Sequence, residues 1–232
     1  MSVEIVSVVQ HNREAPLESD VHRGVATPGA SAQKGTLLRL LTDWSFAKRA
    51  VRYALRLPTP METEDRRVLE QVIFRYYAAQ PEFQKILFVG CQWYTRHYQR
   101  SFFPGREWWT IEPDESARKF GGAHHIVAPL QELEQHTAAG YFDLIFCNGV
   151  FGFGLDARDD CERAFAACHS RLRPGGHFLL GWNDVPARTP IPLDGIVSLR
   201  AFERWTFPPL STWRYTTNTT FRHTYDFYRK PA

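Results

Sequence analysis

The segment from Lys85 to Glu112 constrains this chain more than any other. It opens with the apolar run Ile86-Leu87-Phe88-Val89 closed by Gly90, passes through the loop Cys91-Gln92-Trp93-Tyr94-Thr95, and returns as Trp108-Trp109-Thr110-Ile111-Glu112. A short apolar run without polar alternation suits a strand buried on both faces. A glycine at its end suits a turn where the backbone comes too close to a ligand for a side chain. A second run, ending in a carboxylate roughly 20 residues later, puts an acceptor beside that turn, able to take both hydroxyls of a ribose. The ligand implied is a nucleoside.

Beyond Glu112 the chain keeps alternating strand and helix. Asp114 to Phe120 reads as a short helix stopped by Gly121-Gly122, then a brief strand His125-Ile126-Val127 and a helical stretch Leu130 to Gln135. Tyr141 to Asn148 is the clearest buried strand, with Gly149 after it. A helix with Cys161, Ala164, Phe165, Cys168 and Leu172 on one face comes next, and Arg173-Pro174-Gly175-Gly176 turns the chain into the strand His177 to Trp182. Alternation of this kind builds a parallel sheet with helices on both faces, whose ligands bind beyond the carboxyl ends of the strands. Those ends are Gly90, Glu112, Val127, Asn148 and Trp182. Asn183 to Leu210 is rich in loops and proline and reads as a lid-like or inserted segment. Thr212 to Tyr215 and Phe221 to Tyr228 read as an antiparallel hairpin at the sheet edge.

Upstream, residues 1–35 show no sustained period and read as an arm with one short strand at Val3 to Val9. Residues 36–57 place Leu37, Leu40, Leu41, Trp44, Ala47, Val51 and Leu55 at helical spacing, with Arg39, Lys48, Arg49, Arg52 and Arg56 largely elsewhere, an amphipathic basic helix ended by Pro58. Such a helix fits an anionic membrane surface, an acidic partner or the cover of a site; simple packing with a solvated basic face is the default. Thr59-Pro60-Met61-Glu62 is a helix start, and Leu69, Val72, Ile73 and Tyr76 line one face of the helix it opens. The organisation expected is an arm and basic helix over 1–58 and an α/β domain over 59–232.

The function classes narrow by elimination. With 28 basic against 25 acidic residues in 232, the chain lacks the clustered excess of a nucleic-acid binder. No run approaches a membrane span and the N-terminus has no leader pattern, so a cytoplasmic location is expected. The four cysteines have no metal-pair spacing and read as core thiols. Gln92 and Tyr94 stand where a dinucleotide fingerprint has its later glycines, so a pyrophosphate would meet side chains and NAD is disfavoured.

Taken in order, Ile86 to Gly90, Glu112, Phe142 to Asn148, Leu172-Arg173-Pro174-Gly175-Gly176 and the terminal hairpin resemble a class I S-adenosylmethionine-dependent methyltransferase over about residues 60–230. That resemblance implies a Rossmann-like, doubly wound α/β fold, with a mostly parallel seven-stranded sheet, a C-terminal antiparallel hairpin and, in this chain, an N-terminal helical extension. It implies S-adenosylmethionine as cofactor and an in-line transfer of its methyl group to a small-molecule O, N or S acceptor. The backbone at Gly90, Cys91 and Gln92 would border the methionine part, Glu112 the ribose, Pro129 and Leu130 the adenine, and Asn148 and Gly149 the amino-acid portion and methyl group. Phe88 and Ala128 stand where the family often carries acidic residues.

Trp93, Tyr94, Phe151, Phe153, Trp182 and Asn183 gather near the expected methyl position as a candidate acceptor pocket. His97, Asp156, Asp184 and His223 are possible bases, and nothing in the sequence selects one. Two other readings stay open. The basic helix at 36–57 raises a lipid-linked or cell-envelope acceptor, and Phe88 and Ala128 raise a catalytically silent protein that keeps the fold for binding.

Overall fold

The protein is seen in a computed structural model that describes residues 63–232 together with Val51. The expected arm, the strand at Val3 to Val9, the basic helix over 36–57 and the helix start at Thr59 lie outside the described residues.

Helix α1 is continuous through Glu64–Val68, a π-helical stretch Leu69–Phe74 and Arg75–Ala78, with Thr63 extended at its N-cap. Strand β1 (Lys85–Val89), helix α2 (Tyr98–Phe102), β2 (Glu107–Ile111), β3 (His124–Ile126), β4 (Phe142–Asn148), helix α3 (Arg158–Arg171) and β5 (Leu172–Asn183) come after it, with 3-10 turns at Glu115–Phe120 and Leu130–Gln135. The chain closes with β6 (Glu203–Arg204), β7 (Arg214–Thr216) and β8 (His223–Arg229).

The sheet runs β3-β2-β1-β4-β5-β8-β6, with β7 also on β8. Strands β1 to β5 are parallel and β8 is antiparallel to β5, from His177 opposite Arg229 to Asn183 opposite His223. Glu203 and Arg204 oppose Arg229 and Tyr228, while Arg214 to Thr216 oppose Asp226 to Thr224. β6 and β7 therefore succeed one another along one edge of β8, and the strands fill seven positions. The expected terminal hairpin is β7–β8.

Every residue from Leu144 to Cys147 is fully buried, because β4 lies mid-sheet with both faces covered. Leu87, Val89, Ile145, Cys147, Phe178 and Leu180 face a core closed by α3; Ile86, Phe88, Leu144, Phe146, Leu179, Tyr225 and Phe227 face a core closed by α1.

Two local expectations shift. Leu172 opens β5 rather than ending the helix face, and the Arg173 to Gly176 turn is a bulge between Leu172, opposite Phe142, and His177, opposite Leu144. On α1 the fully buried stripe is Leu69, Ile73, Phe74 and Tyr77, with Val72 and Tyr76 only partly buried. With Arg66 and Glu70, this stripe keeps the i, i+3, i+4, i+7, i+8 spacing of one helical face, turned from the face the sequence suggests.

Segment 184–210 runs as short 3-10 turns and the two-residue strand β6. From Leu193 onward it is anchored: Leu193, Ile196, Leu199 and Phe202 are buried in the α3-side core and Phe207 in the α1-side core. No described helix is long and apolar enough to cross a membrane.

Candidate active site at the strand ends

The chain leaves β1 at Gly90, whose φ of +84° favours glycine; its amide donates to Ile111 O at 2.9 Å, and an added Cβ would press on Val150 at 3.3 Å. The chain thereby turns sharply across β2, bringing the Cys91 amide to Glu112 Oε2 at 3.2 Å. The other carboxylate oxygen accepts from Asp114 N at 3.1 Å. Glu112 is thus pinned against the loop after β1 and half-buried, with each oxygen keeping a lone pair for a further donor. Gln92 and Thr95 close the loop on itself: Gln92 N donates to Thr95 Oγ1 at 3.1 Å, and Thr95 Oγ1 donates to Gln92 O at 2.9 Å.

At the end of β4, Gly149 has φ of +71° and open space where a side chain would stand, while its amide donates to Gly181 O at 2.9 Å. Asn148 is 6% exposed and its side chain crosses over Gly181, where a Cβ would lie 1.9 Å from Asn148 Oδ1. Only glycine at 181 permits this. His223, at the start of β8, sets Nε2 3.1 Å from Asn148 Oδ1 and Nδ1 2.6 Å from Asn183 Oδ1. Burial holds His223 at about 4, so the imidazole is neutral at physiological pH. A neutral ring carries one N–H and donates to only one of these oxygens; the other amide turns its NH2 toward the ring. Asn148 Nδ2 is buried with no hydrogen-bond partner among the described residues.

Of the residues singled out in sequence, Gly90, Cys91, Gln92, Glu112, Asn148, Gly149 and Asn183 are brought together at the carboxyl end of the sheet. Pro129 begins the turn after β3, half-buried, and the Leu130 side chain is part of the core. Trp93 and Tyr94 stand edge to face, ring centroids 5.4 Å apart, in the loop after β1. Phe151 and Trp182 go elsewhere. They pack edge to face at 6.2 Å inside the α3-side core, and Trp182 Nε1 donates to buried Asp226. Phe153 lies under the Arg188 guanidinium at 4.3 Å, joining the loop after β4 to the segment after β5.

Among the possible bases, Asp156 is exposed and Asp184 pairs with Arg222 at 3.1 Å. His97 is buried, Nε2 3.9 Å from Glu70 Oε1. The four cysteines are free and buried, and burial pushes the Cys91, Cys147 and Cys161 thiols up to about 12, which removes them as nucleophiles near neutrality. Phe88, in place of an acidic residue, is 2% exposed and stacks on Trp108 at 5.8 Å; a carboxylate there would be buried among rings.

Sequence reasoning missed a polar group on α1. Arg66 donates to Tyr98 Oη at 3.1 Å, its guanidinium lies 4.6 Å over the Tyr94 ring, and Glu70 is buried one turn on. Arg66 stands three before Leu69 and seven before Ile73, and Glu70 three before Ile73, so helical spacing puts both on the buried stripe. That spacing was the available signal.

Residues 89–180 match a family model described as a methyltransferase domain. The matched segment runs from the last residue of β1 into β5 and so holds Gly90, Glu112 and Asn148. The N-methyltransferase NodS from Bradyrhizobium japonicum WM9, in complex with S-adenosyl-l-homocysteine, has a similar fold at TM-score 0.56 and 17% identity, over 74% of this chain and 90% of that one. A second structure of NodS gives 0.53 at 17% identity over 73% and 97%. TrmN from Thermus thermophilus gives 0.51 at 16% identity, over 81% of this chain and 53% of that one. No curated protein matches the sequence.

Proposed function

We propose that residues 59–232 form a methyltransferase domain that binds S-adenosylmethionine and transfers its methyl group to a small-molecule acceptor. The observation that carries the reading is Glu112: its two oxygens accept from Cys91 N and Asp114 N, so a carboxylate with unused lone pairs is fixed beside a glycine turn. That is the placement a ribose diol needs. The open space at Gly149 and the unpartnered end of the Asn148 amide add room and a hydrogen-bonding group at the neighbouring strand end.

The residues present fit the cofactor. Glu112 would hold the ribose, the backbone from Gly90 to Gln92 would border the methionine chain, Pro129 and the backbone at Leu130 would flank adenine, and Asn148 and Gly149 would stand by the amino-acid portion. Bound S-adenosylmethionine supplies a methyl group on a sulfonium, which needs no covalent catalyst from the protein. The chain itself contributes alignment and dryness. Trp93 and Tyr94 wall the acceptor, and Asn183 borders it. The neutral ring of His223 fixes the Asn148 and Asn183 amides, so the polar groups at the methyl position are set in advance.

Replacing Glu112 by Ala removes the ribose acceptor while leaving the buried strands intact. Calorimetry is expected to show S-adenosylhomocysteine binding weakened at least tenfold, an unfolding midpoint near that of the parent protein confirming the fold. Unchanged affinity would contradict the placement.

A further inference from the structure

We propose that Arg66 recognises the methyl acceptor and that the acceptor carries a carboxylate; this rests on the methyl-transfer reading and names the substrate class for the same site. Arg66 lies on the sheet-facing stripe of α1 and is 9% exposed. A guanidinium has five N–H donors. Among the described residues Arg66 uses one in a hydrogen bond, to Tyr98 Oη at 3.1 Å, while Asp65 Oδ2 lies 3.7 Å from its Nε, beyond hydrogen-bond reach. With one hydrogen bond made and the Asp65 and Glu70 carboxylates nearby, the guanidinium keeps N–H donors for a further acceptor.

Its position is that of an acceptor-binding group. Tyr94 comes from the loop after β1. Tyr225 donates its hydroxyl to Asp65 O at 2.8 Å, which ties this turn of α1 to the part of β8 opposite Gly181. The His223 ring stands 4.8 Å from that of Tyr225 and bonds to Asn148. Arg66 is therefore at the same end of the sheet as Gly90 and Asn148, on the α1 side where Asn148, Asn183 and His223 gather.

Its presentation selects the ligand. With its guanidinium carbon 4.6 Å from the centroid of the Tyr94 ring, Arg66 brings to that ring a planar fork of N–H donors, the group that takes both oxygens of a carboxylate. Trp93, edge to face with Tyr94, lends an aromatic flank for a ring attached to that carboxylate. Lysine in this place would supply a point charge without the fork.

The test uses the full chain saturated with S-adenosylhomocysteine and titrated in a calorimeter with benzoate and with benzamide. Benzoate is expected to bind at least tenfold more tightly than benzamide. Arg66→Gln is expected to lose benzoate binding at least tenfold at unchanged S-adenosylhomocysteine affinity, and Arg66→Lys to lose part of it. Equal binding of benzoate and benzamide, binding of neither, or benzoate affinity retained in Arg66→Gln overturns the assignment; the first two need no variant to fold. If S-adenosylhomocysteine itself does not bind, the methyl-transfer reading fails and the assignment falls with it.

Discussion

His177 shows how one buried side chain ties stability to pH. It is 8% exposed, its Nδ1 lies 3.2 Å from the Tyr77 hydroxyl, and its ring stands 4.2 Å from that of Trp205. Burial first, and Arg229 and Arg173 after it, bring its pKa down to about 4 from the ordinary 6.5. The unfolded chain takes up a proton below about pH 6.5 while the folded one resists it until about 4, so stability is full above 6.5 and falls across that window. The slope is about 1.4 kcal/mol per pH unit for one group. His177→Gln removes it. Denaturant unfolding at pH 7 and pH 4.5 is expected to show the parent losing about 2 kcal/mol more than the variant on acidification. Equal losses would mean that His177 is already charged in the folded state.

Among the elements, β1, β4 and β5 are held in register at their amino ends by one carboxylate. Asp143 Oδ2 accepts from Gln84 N at 2.8 Å and Lys85 N at 2.7 Å, while Oδ1 accepts from Arg173 Nε at 2.6 Å. Its side chain is 13% exposed, so removing it leaves two amides without their acceptor and takes one of the partners of Arg173, whose guanidinium keeps Pro174 O and water. Asp143→Ala is expected to destabilise the fold by about 2–4 kcal/mol. Because this clamp lies at the opposite end of the strands from Glu112, S-adenosylhomocysteine affinity should not change in the protein that remains folded. A marked loss of affinity would show that the two ends of the sheet are coupled.

The elements also show what could be read from sequence. β1 and β4 were legible because buried parallel strands are continuous apolar runs, and Glu112 because it closes one of them at the expected distance from Gly90. The hairpin was legible from its β-branched and aromatic residues. Phe151 and Trp182 misled because period-two alternation decides which face a strand-end aromatic joins, and both fall on the side packed by α3. The Asn148–His223–Asn183 cluster was not legible, since it joins three strands whose register appears only once β8 is paired with β5. Nor was the π turn in α1, since the buried residues around it keep ordinary helical spacing.

On the scale of the whole molecule, the parallel strands bring their ends to one rim, and the sheet's two faces are closed by α1 and α3. The rim joins backbone turns at Gly90 and Gly149, a fixed carboxylate at Glu112 and buried amides at Asn148 and Asn183. Gln92 and Tyr94 come after Gly90 where a pyrophosphate cradle would need glycine, so the rim favours a nucleoside without phosphate. The most direct test is calorimetric titration of the purified full chain with S-adenosylhomocysteine, with NAD as control. Micromolar binding of S-adenosylhomocysteine and none of NAD is the result this account predicts. A folded protein that binds neither, or that prefers NAD, would contradict it.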